Sequence, residues 1–482
     1  MAARPRRTSG PPKLEGKRVV VIGAARSGLA LTRFLVARGA SVVLTDLRGA
    51  GELGPEVAGL RRSGVELQLG GHDVPTLLGA DLVAVSPGVP LAAPPLAEAR
   101  RKGARIVAEV ELASRFLRGT LIGISGSNGK STTTALTAHL LSGAGLRAIA
   151  CGNLGTPLSD LIESDAPDRH YVVELSSFQL EGIDTLRPRI AVLLNLSPDH
   201  QDRYPDARAY YAAKRRIFLN QRRFDHAVLN RDDPTVWRSA GSLRARVHPF
   251  SRAAPPPGGA GISGGRIVLR PRGRKGGEVP IGAIPLFGDH NLDNAMAALL
   301  VADICGVPTE RAAAAIRSFR ALPHRLERVA EVGGVAYFND SKATNVGATR
   351  SSLASFPGGV VLILGGRDKG GDFRGLVPAI RERVTHLVLM GESRDRIAEQ
   401  VGEVVPTTRV EGMAEAVEAA RQAAPPRGVV LLAPGCASFD RYAGFEQRGD
   451  DFRRRVLALA ARGAAGPGSG ALPGRAPSAT AC

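Results

Sequence analysis

The segment Ile124-Ser-Gly-Ser-Asn-Gly-Lys-Ser-Thr132 combines small, flexible positions with one ammonium and a closing pair of hydroxyls. The backbone N–H groups of such a loop can cradle phosphates, with Lys130 neutralising charge on the outer phosphates and Ser131 reaching Mg²⁺. The strict phosphate-loop pattern has glycine where Ile124 stands, so the Gly-Lys-Ser-Thr ending carries the reading. The competing reading is a glycine-rich turn that holds nothing. An ATP site also needs groups for its cation, and two candidates follow. Glu174 precedes Ser176-Ser-Phe-Gln179, and Asp199-His200 lies just beyond the apolar run ending at Asn195. Magnesium prefers oxygen ligands, so a histidine such as His200, read alone, is more often a surface or capping residue than a ligand.

Of 64 basic residues only eight are lysine: Lys13, Lys17, Lys102, Lys130, Lys214, Lys275, Lys342 and Lys369. Four of these fall in segments with chemical potential. An ammonium can lose its proton and react, whereas a guanidinium in effect cannot. Lys214, in Arg208-Ala-Tyr-Tyr-Ala-Ala-Lys-Arg-Arg216, is either a solvated helix lysine or an amine that CO₂ could carbamylate beside a metal. Further on, Asn339-Asp-Ser-Lys-Ala-Thr-Asn345 and Gly365-Gly-Arg-Asp-Lys-Gly370 each follow an apolar run. Open parallel sheets bind ligands at such strand ends.

These segments need a scaffold of alternating strands and helices. Arg18–Gly23, Ser41–Asp46 and Asp81–Ser86 read as strands of a nucleotide-binding βαβ unit. Thr120–Ile124, Tyr171–Leu175 and Ile190–Asn195 read as strands of a second unit, with a helix over Lys130–Leu141 and others near Asn291–Cys305 and Thr309–Phe319. The Pro/Gly-rich stretch Ala253–Gly265 reads as a loop before a hairpin strand at Arg266–Arg270. A third unit follows Leu322-Pro323, with strands at Val335–Asn339, Val360–Leu364, Leu387–Met390 and Val429–Ala433 and a last helix running through Phe452 to about Arg462. The expected fold class is α/β with mostly parallel sheets: a Rossmann-like domain over 15–108, a central phosphate-loop ATPase-like domain over 109–322 and a Rossmann-like domain over 323–464. Residues 1–14 and 465–482 are expected to be disordered tails.

With these motifs assembled, the chain closely resembles the Mur ligase family over roughly Glu15–Arg462. Gly126-Ser-Asn-Gly-Lys-Ser-Thr132 is similar to that family's ATP loop, which usually has Thr where Ser127 stands. Gly152-Asn-Leu-Gly155, Glu174-Leu-Ser-Ser-Phe-Gln179 and Asp199-His-Gln-Asp-Arg-Tyr204 are similarly placed. Asp340-Ser-Lys-Ala-Thr-Asn345, Cys436-Ala-Ser-Phe-Asp440 and Phe445-Glu-Gln-Arg-Gly449 resemble the branch that adds D-glutamate. The resemblance implies an ATP-dependent amide ligase that joins D-glutamate to UDP-N-acetylmuramoyl-L-alanine through an acyl phosphate, with the last domain closing over the site.

It also implies roles. The UDP-sugar would meet Ser27, Gly28, Thr45, Asp46, Ser86, Pro87 and Gly88, with Asn153 and His200 at its muramoyl end. ATP would meet Gly126, Ser127, Asn128, Gly129, Lys130, Ser131 and Thr132, then Asn291, Asn294, His324, Arg325 and Asp340. Two Mg²⁺ ions would be held by Ser131, Glu174, His200 and Lys214 as its carbamate. D-Glutamate would meet Lys342, Thr344, Lys369, Ser438 and Phe445. Lys130, Glu174, His200 and Lys214 form the implied catalytic set.

The net charge of +19 raises the question of nucleic acid. Basic residues are spread along the whole chain and aromatics make up only 4%, so no basic stripe with stacking side chains forms. Anionic small substrates suit the same positive field. No apolar run is long enough to span a bilayer and no secretory signal opens the chain. The four cysteines show neither metal spacing nor a disulfide framework. A cytoplasmic monomer acting on small molecules is the expectation. Its nearest rival is another amino-acid ligase of the resembled family, such as one adding L-alanine, and its rival from another class is a nucleotide-binding module that ligates nothing.

Overall fold

Valine- and leucine-rich runs that end in glycine or an acid fold here as parallel strands buried on both faces. The computed structural model describes residues 11–464 apart from Leu154 and Asp202. Of the expected tails 1–14 and 465–482, residues 1–10 and 465–482 lie outside the described residues; the tail does not extend to 14, because Leu14 is buried in the apolar core. Two compact units divide at Ala321/Leu322.

The first unit carries two sheets. Strands β1 (Arg18–Ile22), β2 (Ser41–Asp46), β3 (Glu66–Leu69), β4 (Leu82–Val85) and β5 (Ile106–Ala108) form a parallel sheet in the order β3-β2-β1-β4-β5. Chain order reverses between β1 and β4, so the loops after these two strands flank a crevice where open sheets bind ligands.

The second sheet has nine strands: β6 (Thr120–Ser125), β7 (Arg147–Gly152), β8 (Arg169–Glu174), β9 (Ile190–Leu193), β10 (His226–Asn230), β11 (Arg246–Ser251), β12 (Ala260–Ser263), β13 (Arg266–Leu269) and β14 (Glu278–Pro280). Their order is β14-β13-β12-β11-β10-β9-β6-β8-β7, antiparallel only at β12-β13-β14. β12 lies inside the stretch expected to be loop. Its Ala260 and Gly261 pair with Phe250 and Ser251, so partner strands supply an order that the Pro/Gly composition hides. β6 sits between β9 and β8, which brings the chain after each of these three strands to one sheet edge.

The helix Lys130–Gly143 packs on the helix Asp289–Ile304. The latter is apolar all round and buried along Ala295–Ala302, as a helix covered on every side must be. Leu136, Leu140 and Leu141 are fully buried there, each contributing roughly 1.5–3 kcal/mol. One continuous apolar cluster runs from Leu14, Val19 and Leu35 through Leu112 and Leu158 to Ile217 and Phe218. It joins the first sheet to the central one and explains why both fall in one compact unit.

The second unit holds β15 (Glu327–Val332), β16 (Val335–Asn339), β17 (Val360–Gly365), β18 (Val384–Met390), β19 (Thr407–Arg409) and β20 (Val429–Leu432). They are ordered β15-β16-β20-β17-β18-β19 and are parallel except for β15. The last helix spans Phe445–Ala464 and runs through Phe452 as expected. Phe445 is therefore a first-turn residue of that helix, not part of a preceding loop. Among the described residues no helix is long and apolar enough to cross a membrane.

Candidate active site

The phosphate loop leaves β6 and is laced to the chain after β9. Ser127 N donates to Asn195 O at 2.9 Å, Asn128 N to Asn195 Oδ1 at 2.8 Å, and the Ser127 hydroxyl to Ser197 O at 2.9 Å. Gly129 closes the loop in the left-handed region (φ +83°), and a Cβ there would lie 2.3 Å from Asn294 Oδ1. Glycine is required on both counts. Asn294 also accepts from the Thr133 hydroxyl at 3.1 Å and donates to Asn291 Oδ1 at 2.9 Å. The two asparagines expected at ATP thus lie against the loop. Ser131 and Thr132 are buried in the first turn of the following helix.

Two lysines converge on Gly126. Lys130 Nζ donates to Gly126 O at 2.9 Å and Ser127 O at 2.8 Å. Lys214 Nζ, from the helix Ala207–Arg215, donates to the same Gly126 O at 2.8 Å. Lys214 is not the solvated helix lysine its sequence also allowed: it is 1% exposed. Burial pushes its pKa well below the ordinary lysine value and Lys130 adds repulsion, while Asp199 and Glu174 pull it back up. Tyr210 lies under the amine, 4.7 Å from ring centroid to Nζ. Tyr210 in turn belongs to an aromatic cluster with His200, Tyr204 and Phe178. His200 adopts positive φ (55°) and its N–H donates to Asp199 Oδ1 at 2.8 Å. Glu174 ends β8 and is buried, its Oε1 accepting from Asn153 Nδ2 at 2.6 Å. Among the described residues no three His, Cys, Asp or Glu side chains gather into a metal cluster.

The first sheet's loops are fixed by close contacts. A Cβ on Gly28 would sit 1.8 Å from Gly23 O, so only glycine lets the helix Arg26–Ala37 start so near β1. The Ser86 hydroxyl donates to Gly23 O at 3.0 Å. Thr45 Oγ1 donates to Gly71 O at 2.8 Å and lies 2.9 Å from His72 Nδ1. Asp46 receives Ala24 N at 2.7 Å and the Arg48 guanidinium. Burial alone would raise the Asp46 pKa, but these donors outweigh it and bring it to about 2. Ser27 and Pro87 are half-buried and Gly88 is exposed. Arg203 stacks on Phe178 (3.6 Å to the ring centroid) and donates to Val89 O at 3.2 Å, tying the Ser86–Gly88 turn to the central sheet. Sequence reading passed over Arg203, although it stands inside the quoted Asp199–Tyr204 motif.

In the second unit, Asp340, Lys342 and Thr344 follow β16. Lys342 Nζ lies 3.5 Å from the centroid of the Phe445 ring, a cation–π contact. His324 is buried with φ 62°, its Nδ1 3.0 Å from Asn339 Nδ2. Arg367 pairs with Ala437 through two backbone hydrogen bonds of 2.9 Å, which makes neighbours of the turn carrying Lys369 and the segment carrying Ser438.

Arg448 was not singled out from sequence, yet it joins these loops. It is 1% exposed. It donates to Ser341 Oγ (3.0 Å), Ser341 O (2.8 Å), Ala437 O (3.1 Å) and Cys436 O (3.1 Å). The signal for it was spacing: Arg448, Phe452 and Val456 form a buried stripe of one helix face, and an arginine on such a stripe must be paired. Arg448→Lys cannot make four such bonds. It should raise the KM for the D-glutamate expected at these loops about tenfold or more while kcat changes less, as steady-state kinetics would show.

Burial raises the Asp340 carboxyl from 3.8 to about 6, against the Ser352 hydroxyl, Arg325 and the Leu326 N–H, which lower it. The folded carboxyl therefore holds its proton more tightly than the unfolded one. Its contribution to stability is complete below about pH 4 and is lost as pH rises through about 6. Asp340→Asn should remove this dependence and raise the melting temperature of the second unit at pH 7.5, with an upper bound of about 3 kcal/mol. Calorimetry of both proteins from pH 5 to 8 checks it.

Three family models match the chain: a Mur ligase MurD-like N-terminal domain over residues 17–108, a Mur ligase middle domain over 124–302, and a Mur ligase glutamate ligase domain over 324–436. The chain is 48% identical over 454 residues to the UDP-N-acetylmuramoylalanine--D-glutamate ligase of Anaeromyxobacter dehalogenans, covering 92% of this chain and 98% of that protein. Its identity to the enzyme of the same name from Geotalea uraniireducens is 44% over 448 residues, covering 93% and 98%. Among solved structures, a pseudomurein peptide ligase type C from Methanothermus fervidus superposes with a TM-score of 0.60 at 18% identity, covering 92% of this chain and all of that one.

Proposed function

This chain belongs to the Mur ligase family, and we propose that its reaction runs on the lysine pair around Gly126, half-buried Lys130 and buried Lys214. It is an ATP-dependent ligase that adds D-glutamate to UDP-N-acetylmuramoyl-L-alanine in peptidoglycan-precursor synthesis. The observation that carries the residue-level reading is Lys214: fully buried, its amine on the phosphate loop's own carbonyl, and its charge disfavoured.

Residues 15–108 hold the UDP-sugar through Ser27, Gly28, Thr45, Asp46 and Ser86–Gly88, with Asn153 and His200 at its muramoyl end. Asp46 acts by fixing the turn after β1, since its carboxylate is already occupied by Ala24 N and Arg48. Residues 109–322 bind ATP on Gly126–Thr132, with Asn291 and Asn294 behind the loop. In 323–464, His324, Arg325 and Asp340 contact the nucleotide, and Lys342, Thr344, Lys369, Ser438 and Phe445 take D-glutamate.

The alanyl carboxylate attacks the γ-phosphorus, ADP leaves, and an acyl phosphate forms. Lys130 and the loop N–H groups stabilise charge on the transferred group. The D-glutamate amine then attacks the acyl carbon, phosphate departs and the amide remains. Lys342 and Lys369 meet the glutamate carboxylates as point charges.

Two Mg²⁺ ions fit this donor set. Ser131 and buried Glu174 offer the oxygens such ions prefer, and Mg²⁺ commonly takes only one or two protein groups beside phosphates and water. A neutral Lys214 amine could add CO₂ with loss of a proton, and the resulting carbamate would serve with His200 as the protein donors to the second ion. Bound magnesium supplies charge neutralisation on the phosphates. The enzyme acts on small molecules in the cytoplasm as a monomer.

Phosphate release from ATP and Mg²⁺ with UDP-N-acetylmuramoyl-L-alanine tests the reading, comparing D-glutamate, L-glutamate, L-alanine and no amino acid. Turnover should be confined to D-glutamate. Release with every amino acid or with none would overturn the assignment.

A further inference from the structure

A cavity of about 1020 Å³ opens in the first unit, and none of the site residues assigned above lines it. Its walls come from four separate stretches of chain: the helix Pro94–Arg101 with β5, the turn Glu181–Asp184, the segment Arg215–Arg222, and the loop Arg238–Arg244. Seven of the lining side chains are arginines, against two carboxylates, Glu181 and Asp184.

Both carboxylates have partners of their own. Glu181 accepts from the Tyr204 hydroxyl and lies 3.8 Å from Arg203, and Asp184 lies 3.8 Å from Arg115. Arg216 spends its guanidinium on Leu180 O and Ile183 O. Arg100, Arg105, Arg222 and Arg244 form no ion pair with a carboxylate among the described residues. Burial lowers the Arg216 pKa, and the like charge of Arg100 lowers it further. The lining also holds two donors without an acceptor: the hydroxyl of Ser239, which is 7% exposed, and Arg215 Nε. Crowded guanidiniums and unused donors around a hollow are the converse of a satisfied protein surface, and an anion would relieve both.

We propose that this cavity is a second anion site, which takes a small molecule bearing a chain of two or more phosphates. Planar guanidinium forks match phosphate oxygens in pairs, and several forks spread around one hollow suit a chain of phosphates better than a single one. The lining has one aromatic ring, Phe218, and thus no platform for stacked bases. Because Arg100 and Arg105 belong to the first sheet's side and Arg216, Arg222 and Arg244 to the central sheet's side, the ligand bridges the two.

Inorganic tripolyphosphate is the probe, measured by titration calorimetry on the full chain carrying Lys130→Ala, which weakens the phosphate loop as a competing site. One tripolyphosphate per chain should bind, more weakly as salt rises. Adding Arg105→Ser and Arg244→Ser, both at exposed positions, should weaken binding at least tenfold. The same two substitutions in the otherwise unaltered enzyme should leave ligase turnover within about twofold and the melting temperature unchanged. Absence of binding to the Lys130→Ala chain would overturn the proposal, as would equal affinity with and without the two arginines. Equal heats from sulfate at matched ionic strength would overturn it too, by assigning the effect to diffuse charge.

Discussion

Lys214→Met yields a protein that melts a few degrees higher than the parent at pH 7–8 and turns over about 10³-fold slower or worse. Both effects come from one buried amine. Burial has moved the folded pKa of Lys214 well below its ordinary value, while the unfolded side chain keeps a value near 10.4. The unfolded chain therefore binds a proton that the folded chain resists, and that difference opposes folding wherever pH is below the unfolded value. It vanishes above it. The gain in melting temperature should accordingly be largest at neutral pH and shrink as pH approaches about 10.

Methionine fills a similar volume and leaves no orphan, because Gly126 O keeps the donor from Lys130. A stabilised but inactive variant is the signature of a residue held in an unfavourable state for its chemistry. Thermal melts across pH beside phosphate-release assays check both halves. Equal or lower stability of the variant at pH 7.5 would mean that the amine is charged and paired in the folded enzyme. A second readout bears on the carbamate: depleting CO₂ from the buffers should slow the unaltered enzyme, with bicarbonate restoring it, and should not touch Lys214→Met.

Lys130→Ala should lower kcat by about 10²–10³, the loss seen when one preorganised group facing a developing charge is removed. The ammonium already sits over the loop, 2.9 and 2.8 Å from two of its carbonyls, so no reorganisation is needed when a phosphate arrives. Those carbonyls hold the lysine in place, and the phosphate chain competes for the same charge. The fold should survive: Ser127 and Asn128 remain tied to Asn195 by backbone and amide bonds that do not involve the lysine. Far-ultraviolet circular dichroism and the melting temperature should match the parent, while single-turnover phosphate release falls. A fall in kcat below about fivefold would mean that the loop N–H groups and cations carry the phosphate charge without Lys130.

Where strands alternate with helices, local pattern was enough. Ser41–Asp46 read as a strand and is one to the residue, because its apolar run is bounded by turn-forming neighbours and buried on both faces. The order of motifs also placed the phosphate loop between β6 and its helix. The reading failed where order comes from a distant partner. Ala260–Ser263 looks like loop by composition and becomes β12 only because Phe250 and Leu269 lie on either side of Ala260.

What the sequence determined by itself is chemistry carried by contiguous residues. A phosphate cradle is made of consecutive backbone N–H groups, so Gly126–Thr132 can be read as a string, and so can the left-handed glycine that closes it. Only the tertiary structure decided the state of single side chains. Whether Lys214 is charged depends on Tyr210, Lys130, Glu174 and Asp199, of which Lys130 and Glu174 stand far away in the chain. Whether Arg448 is a surface charge or the joint between two loops depends on carbonyls at 341, 436 and 437. The arginine-lined cavity is assembled from residues between 91 and 244, and no window of sequence contains it. Solvation and charge coupling are sums over neighbours in space, and a chain read residue by residue does not list those neighbours.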